Sequence, residues 1–92
     1  MHNTDFEIQF AKTANLNEFK VFLDTTFLCH DAQVALVKRN QNDLLYEYVS
    51  RFVLCEEAQV ALVEMRNKEI LLLYISRYKL CNQATAALLK AL

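Results

Sequence analysis

Apolar residues recur along this chain with the spacing of one helix face, and they do so in blocks. Leu45, Tyr48, Val49 and Phe52 stand at i, i+3, i+4 and i+7, the stripe that an amphipathic helix turns toward a core. The stripe returns as Leu71, Tyr74, Ile75 and Tyr78, and in shorter form as Phe19, Phe22 and Leu23. Ahead of the middle stripe runs a second kind of segment, with Ala32, Ala35 and Leu36 on one face and Val34 and Val37 flanking it. Polar stretches (TANLNE, RNQND, RNKE) divide the segments. The pattern predicts helix pairs, the first member running from Asp31 to Arg39 and the second from Asp43 to Phe52. Asn15 with Glu18 three residues on, and Thr4 with Glu7, have the spacing of capping boxes. Asn67 is placed to be an N-cap.

The blocks repeat at a fixed interval, the one that separates Cys29 from Cys55 and Cys55 from Cys81. Residues 29–54 and 55–80 are identical at twelve positions, among them AQVALV at Ala32–Val37 and again at Ala58–Val63. Unrelated segments of that length share roughly one or two residues. The opening stretch keeps the pattern rather than the letters, with Phe6, Ile8, Phe10 and Ala11 where Ala32, Val34, Leu36 and Val37 lie. The units are therefore 3–28, 29–54, 55–80 and a half unit, 81–92. A fixed period in this range marks stacked supersecondary units that bury their apolar faces on one another. The expectation is one all-α domain over residues 1–92, a right-handed α-solenoid of about three and a half two-helix repeats. Repetition of AQVALV follows from it: alanines let helices approach, and valines and leucines fill the seam.

Glycine and proline are both absent, which removes the turn chemistry of a β-sandwich or barrel. Hydrophobic residues make up 54%, charged residues 23%, and the formal net charge is −1. That balance fits a globular chain and points to neither nucleic acid nor an anionic membrane. The apolar run Ile70–Ile75 is far shorter than the roughly 20 residues of a membrane span. The first ten residues lack the basic start and apolar stretch of a secretory signal. Three cysteines, an odd number, fit reduced thiols, so the expected compartment is the cytoplasm.

The two-helix unit resembles HEAT-like repeats, with a shorter unit, and its period resembles that of the leucine-rich-repeat variant, whose unit pairs an α-helix with a 3₁₀ segment. The resemblance covers nearly the whole chain. It implies a binding scaffold and carries no catalytic residues.

Candidate chemistry is sparse. Cys29, Cys55, Cys81 and His30 invite a zinc site, but equivalent positions in stacked units stand one helix-packing distance apart, about 8–10 Å. Ligands to a single zinc lie within ~2.0–2.3 Å of it, so the cysteines read as small hydrophobes at the helix starts. Neither metal nor cofactor is expected. His2 and His30 have no evident nucleophile or carboxylate partner, and a glycine-rich phosphate loop requires glycine; no enzyme is expected. Lys38, Arg39, Arg51, Arg66, Lys68, Arg77 and Lys79 would make a nucleic-acid stripe if they shared a face. Asp43, Glu47, Glu64 and Glu69 interrupt it, which leaves nucleic-acid binding as the alternative reading.

The second helices break the polar pattern on the side away from the core stripe. Val21, Tyr46, Leu72 and Leu73 form an apolar band there, and exposed bands of this kind mark interfaces. Arg51 and Arg77, in YVSR and YISR, stand beside it. Each is read as a grip on a carboxylate or phosphate, as a charge completing the end of its own helix, or as a partner of Glu56, Glu57 or other acids of the next unit. The expected function is non-catalytic binding of another protein through Val21, Tyr46, Leu72, Leu73, Arg51 and Arg77. An adaptor fits, as does a phage or bacterial inhibitor of a toxin or defence system, in the manner of immunity or anti-CRISPR proteins. The half unit stays apolar at Leu88, Leu89 and Leu92, and burying that stripe predicts a homodimer.

Overall fold

A computed structural model describes residues 4–91. It contains, among those residues, seven α-helices and no strand: α1 (Thr4–Thr13), α2 (Leu16–Leu23), α3 (His30–Arg39), α4 (Asn42–Arg51), α5 (Glu56–Glu64), α6 (Lys68–Arg77) and α7 (Asn82–Ala91). None is long and apolar enough to cross a membrane. The all-α expectation holds.

Local chemistry sets the boundaries. Asn15 and Glu18 close the expected capping box at α2: Glu18 N–H donates to Asn15 Oδ1 at 2.8 Å and Asn15 N–H to Glu18 Oε1 at 3.0 Å. Asn67 caps α6 by accepting from Ile70 N–H at 3.2 Å. Glu7 is buried, and its Oε1 accepts from Cys29 N–H at 2.7 Å, at the start of the next unit. Without glycine, the left-handed turns after α3 and α5 fall to Asn40 (φ 60°) and Arg66 (φ 57°), equivalent positions of successive units. Asparagine tolerates that conformation well and arginine poorly.

The helices form two rows. α1, α3, α5 and α7 pack in succession, while α2, α4 and α6 pack in succession beside them, more loosely. Four helices side by side at about 8–10 Å account for the longest dimension, 35 Å against 21 and 19 Å. Ala32, Ala58 and Ala84, one per unit, are fully buried along the closer row. Between the rows lies the core, built from Phe19, Leu36, Leu45, Tyr48, Leu62 and Tyr74, all inaccessible to solvent. The three cysteines are half-buried rather than sealed, because each stands just ahead of its helix. Cys29 and Cys55 hold the extended N-cap conformation.

Neighbouring units are tied by one polar device. Gln33 is buried; its Nε2 donates to Leu28 O at 2.9 Å and its Oε1 accepts from Cys55 N–H at 2.7 Å. Gln59 repeats the arrangement with Leu54 O at 2.8 Å and Cys81 N–H at 2.8 Å. Glu7 serves the first junction. Thr85 takes the equivalent place in α7, where its hydroxyl turns back to Cys81 O at 3.0 Å. Each glutamine thus satisfies two backbone groups that would otherwise be buried without partners.

Candidate protein-binding surface

The outward side of the second row carries the residues singled out by sequence. Val21 is 67% exposed, Tyr46 52% and Leu72 63%. Leu73 differs: it is half-buried and packed against the core. The four residues occupy two rows rather than one, and register alone does not bury Leu73, because the exposed Val21 shares its row. Tyr46 and Leu72 are equivalent to Lys20, whereas Leu73 is equivalent to Glu47 and Val21. Lys20 Nζ lies 3.8 Å from Glu47 Oε1, so a surface ion pair crosses the band between Val21 and Tyr46. The continuous apolar part is Tyr46 with Leu72.

The two arginines take different roles. Arg51 Nη1 donates to Asp24 Oδ1 at 2.6 Å, and its Nη2 lies 3.5 Å from Glu47. The hydrogen-bonded Asp24 carboxylate raises the guanidinium above its ordinary pKa. Arg51 therefore ties α4 to the end of α2. Ser50 holds the place of Asp24 one unit later, and Arg77 is exposed with no ion pair among the described residues. Of the basic residues in the alternative stripe, Arg39 is committed to the fold, donating to Ala11 O at 3.2 Å and Ala14 O at 2.9 Å across the unit boundary.

A groove of about 590 Å³ runs along the junctions between units, lined by Phe27, His30, Tyr48, Phe52, Val53 and Cys55 among others. Phe27 is 52% and Val53 57% exposed. They are equivalent positions directly ahead of the buried Leu28 and Leu54. That register was available in the sequence, but helix periodicity does not reach into junctions. Tyr48 lies beneath the groove. Its hydroxyl is directed at Leu28 N–H without closing a hydrogen bond, whereas Tyr74 Oη accepts from Leu54 N–H at 3.2 Å. Burial raises the pKa of both phenols and of the Cys55 thiol.

All three thiols are free, and Cys55 Sγ donates weakly to His30 O at 3.9 Å. Among the described residues no three of His, Cys, Asp and Glu converge on one point. In α7, Leu88 is half-buried and Leu89 67% exposed; Leu92 and His2 lie outside the described residues. Comparison with protein-family models, curated proteins and solved structures returns no match to this chain.

Proposed function

We propose that this chain is a short α-solenoid whose second-row helices bind another protein. The observation that carries the reading is the exposure of Tyr46 and Leu72, 52% and 63%, at equivalent positions of adjacent helices. Polar side chains serve the fold equally well at solvent-facing positions, so two large apolar ones in register point to a contact made in trans. Val21 extends the surface past the Lys20–Glu47 pair. Arg77, with no acid opposite it, supplies a cation at the rim, and Arg51 contributes mainly by holding α4 to α2. Aromatic anchors with arginine at the rim are a common composition of protein interfaces.

The test is site-specific photocrosslinking in cells with benzoylphenylalanine at position 46, 72 or, as control, Asp31 on the first-row helix α3. The reading predicts an adduct of the same mass from positions 46 and 72 that the Asp31 variant does not give. Adducts from Asp31 alone, or the same products from all three positions, would contradict it.

A further inference from the structure

A shift by one repeat carries each surface of one unit onto its equivalent in the next, so interior units show what is uncovered beside α7. Val49 is fully buried, and its equivalent Ile75 is 43% exposed. Val37 and Val63 are buried, and their equivalent Leu89 is 67% exposed. A groove of about 270 Å³ lies between α5, α6 and α7, lined by Val63, Arg66, Lys68, Leu71, Leu88 and Ala91, with Ile75 and Leu89 outside that lining.

The equivalent positions one unit earlier are Val37, Asn40, Asn42, Leu45, Leu62 and Met65, and the start of α6 hydrogen-bonds to two of them. Asn67, the N-cap of α6, donates through Nδ2 to Asn40 Oδ1 at 2.9 Å and Asn42 Oδ1 at 2.7 Å. Glu69, in the first turn of α6, accepts from Asn42 Nδ2 at 2.7 Å. Ile70 and Leu71 of that helix are buried. Beside α7 the lining keeps its valine and two leucines and changes its charge. Arg66 replaces Asn40 and Lys68 replaces Asn42, while Lys90 stands on the adjoining rim next to Glu64. None of the three cations makes an ion pair among the described residues, and three cations face one carboxylate. Arg66 also occupies the left-handed conformation that Asn40 fills more easily.

We propose that this groove is a docking seat for the first turns of an amphipathic helix from a partner protein. The helix carries a carboxylate in its first turn, opposite Lys68 and Arg66, and branched apolar residues that cover Leu71 and Leu88. Lys68 would then make as an ion pair the contact that Asn42 makes to Glu69 as a hydrogen bond. A second copy docking seat to seat would set these cations against their own symmetry mates, so charge favours an acidic helix over the two-fold pairing expected from Leu88, Leu89 and Leu92. The seat uses a surface separate from Tyr46 and Leu72, although both rest on the repeat register.

The probe is a fluorescein-labelled peptide of residues 41–54, which supplies Asp43, Leu44, Leu45 and Tyr48 in the required order, titrated with the full chain at low salt. Saturable binding is expected. It should weaken about tenfold when Asp43→Lys is made in the peptide or Arg66→Glu/Lys68→Glu in the protein. Combining the two reversals should restore it, and Leu72→Glu should leave it unchanged, which separates this seat from the second-row surface. Helical circular dichroism of each protein variant is checked first. Binding absent up to about 1 mM protein, binding indifferent to charge reversal, or loss through Leu72→Glu would overturn the proposal. So would a wild-type dimer dissociated by Arg66→Glu/Lys68→Glu, because a second copy would then be the occupant.

Discussion

Gln33 and Gln59 connect the sequence repeat to the stacking of helices. Each lies among buried apolar neighbours and spends both ends of its amide on backbone groups, one just ahead of its own helix and one at the start of the next unit. Replacing Gln59 with Met keeps volume and removes both hydrogen bonds, leaving Leu54 C=O and Cys81 N–H unpaired. Each such loss costs about 1–3 kcal/mol, so Gln59→Met should lower unfolding free energy by roughly 2–6 kcal/mol in urea titration. Tyr48→Phe is the matched control. It removes a buried hydroxyl that closes no hydrogen bond among the described residues and should change stability by less than about 1 kcal/mol. A comparable loss in both variants would contradict the assigned role of the glutamine. The sequence displayed this residue in register twice without its meaning. Apolar burial shows as periodicity, whereas a hydrogen bond to a backbone group of the next unit leaves no local trace. The cysteines show the same limit: their register was plain, but the N-cap position that keeps them half-buried emerges once the helices have definite starts.

Helices were more legible than single residues. The pattern placed the first helix of the middle unit at Asp31–Arg39 and the second at Asp43–Phe52; they run His30–Arg39 and Asn42–Arg51. Stripe and caps agree because both follow from local geometry. The outward band was less legible. A helix turns about 100° per residue, so neighbouring Leu72 and Leu73 cannot share one azimuth, and burial separates them. Leu72→Glu should therefore shift stability by no more than about 0.5 kcal/mol, whereas Leu73→Glu, packed against the core, should cost roughly 1–3 kcal/mol. Thermal melts of the two variants check this. Equal losses would mean that the face carrying Leu72 is packed, and would remove the basis of the proposed binding surface. Arg39 and Arg51 illustrate the same point for charge. Sequence counted them among basic candidates, while packing directs one to carbonyls of the preceding unit and the other to Asp24 and Glu47.

At the scale of the molecule, the proposed solenoid requires interchangeable units. If each unit contacts its neighbours through the same alanines, glutamines and leucines, stability is a sum of unit and interface terms, and an added unit strengthens the whole. Leu28–Cys29, Leu54–Cys55 and Leu80–Cys81 are equivalent junctions, so the chain offers a clean place to insert one. The most direct test is a second copy of residues 29–54 inserted between Leu54 and Cys55, compared with the original chain by circular dichroism in heat and urea. Interchangeable units predict unchanged ellipticity per residue, a higher Tm, and a urea m-value larger by about a quarter, in proportion to the added buried surface. An inserted chain that loses helicity, melts lower or unfolds in two separated transitions would show that the units do not stack interchangeably, and would contradict the account.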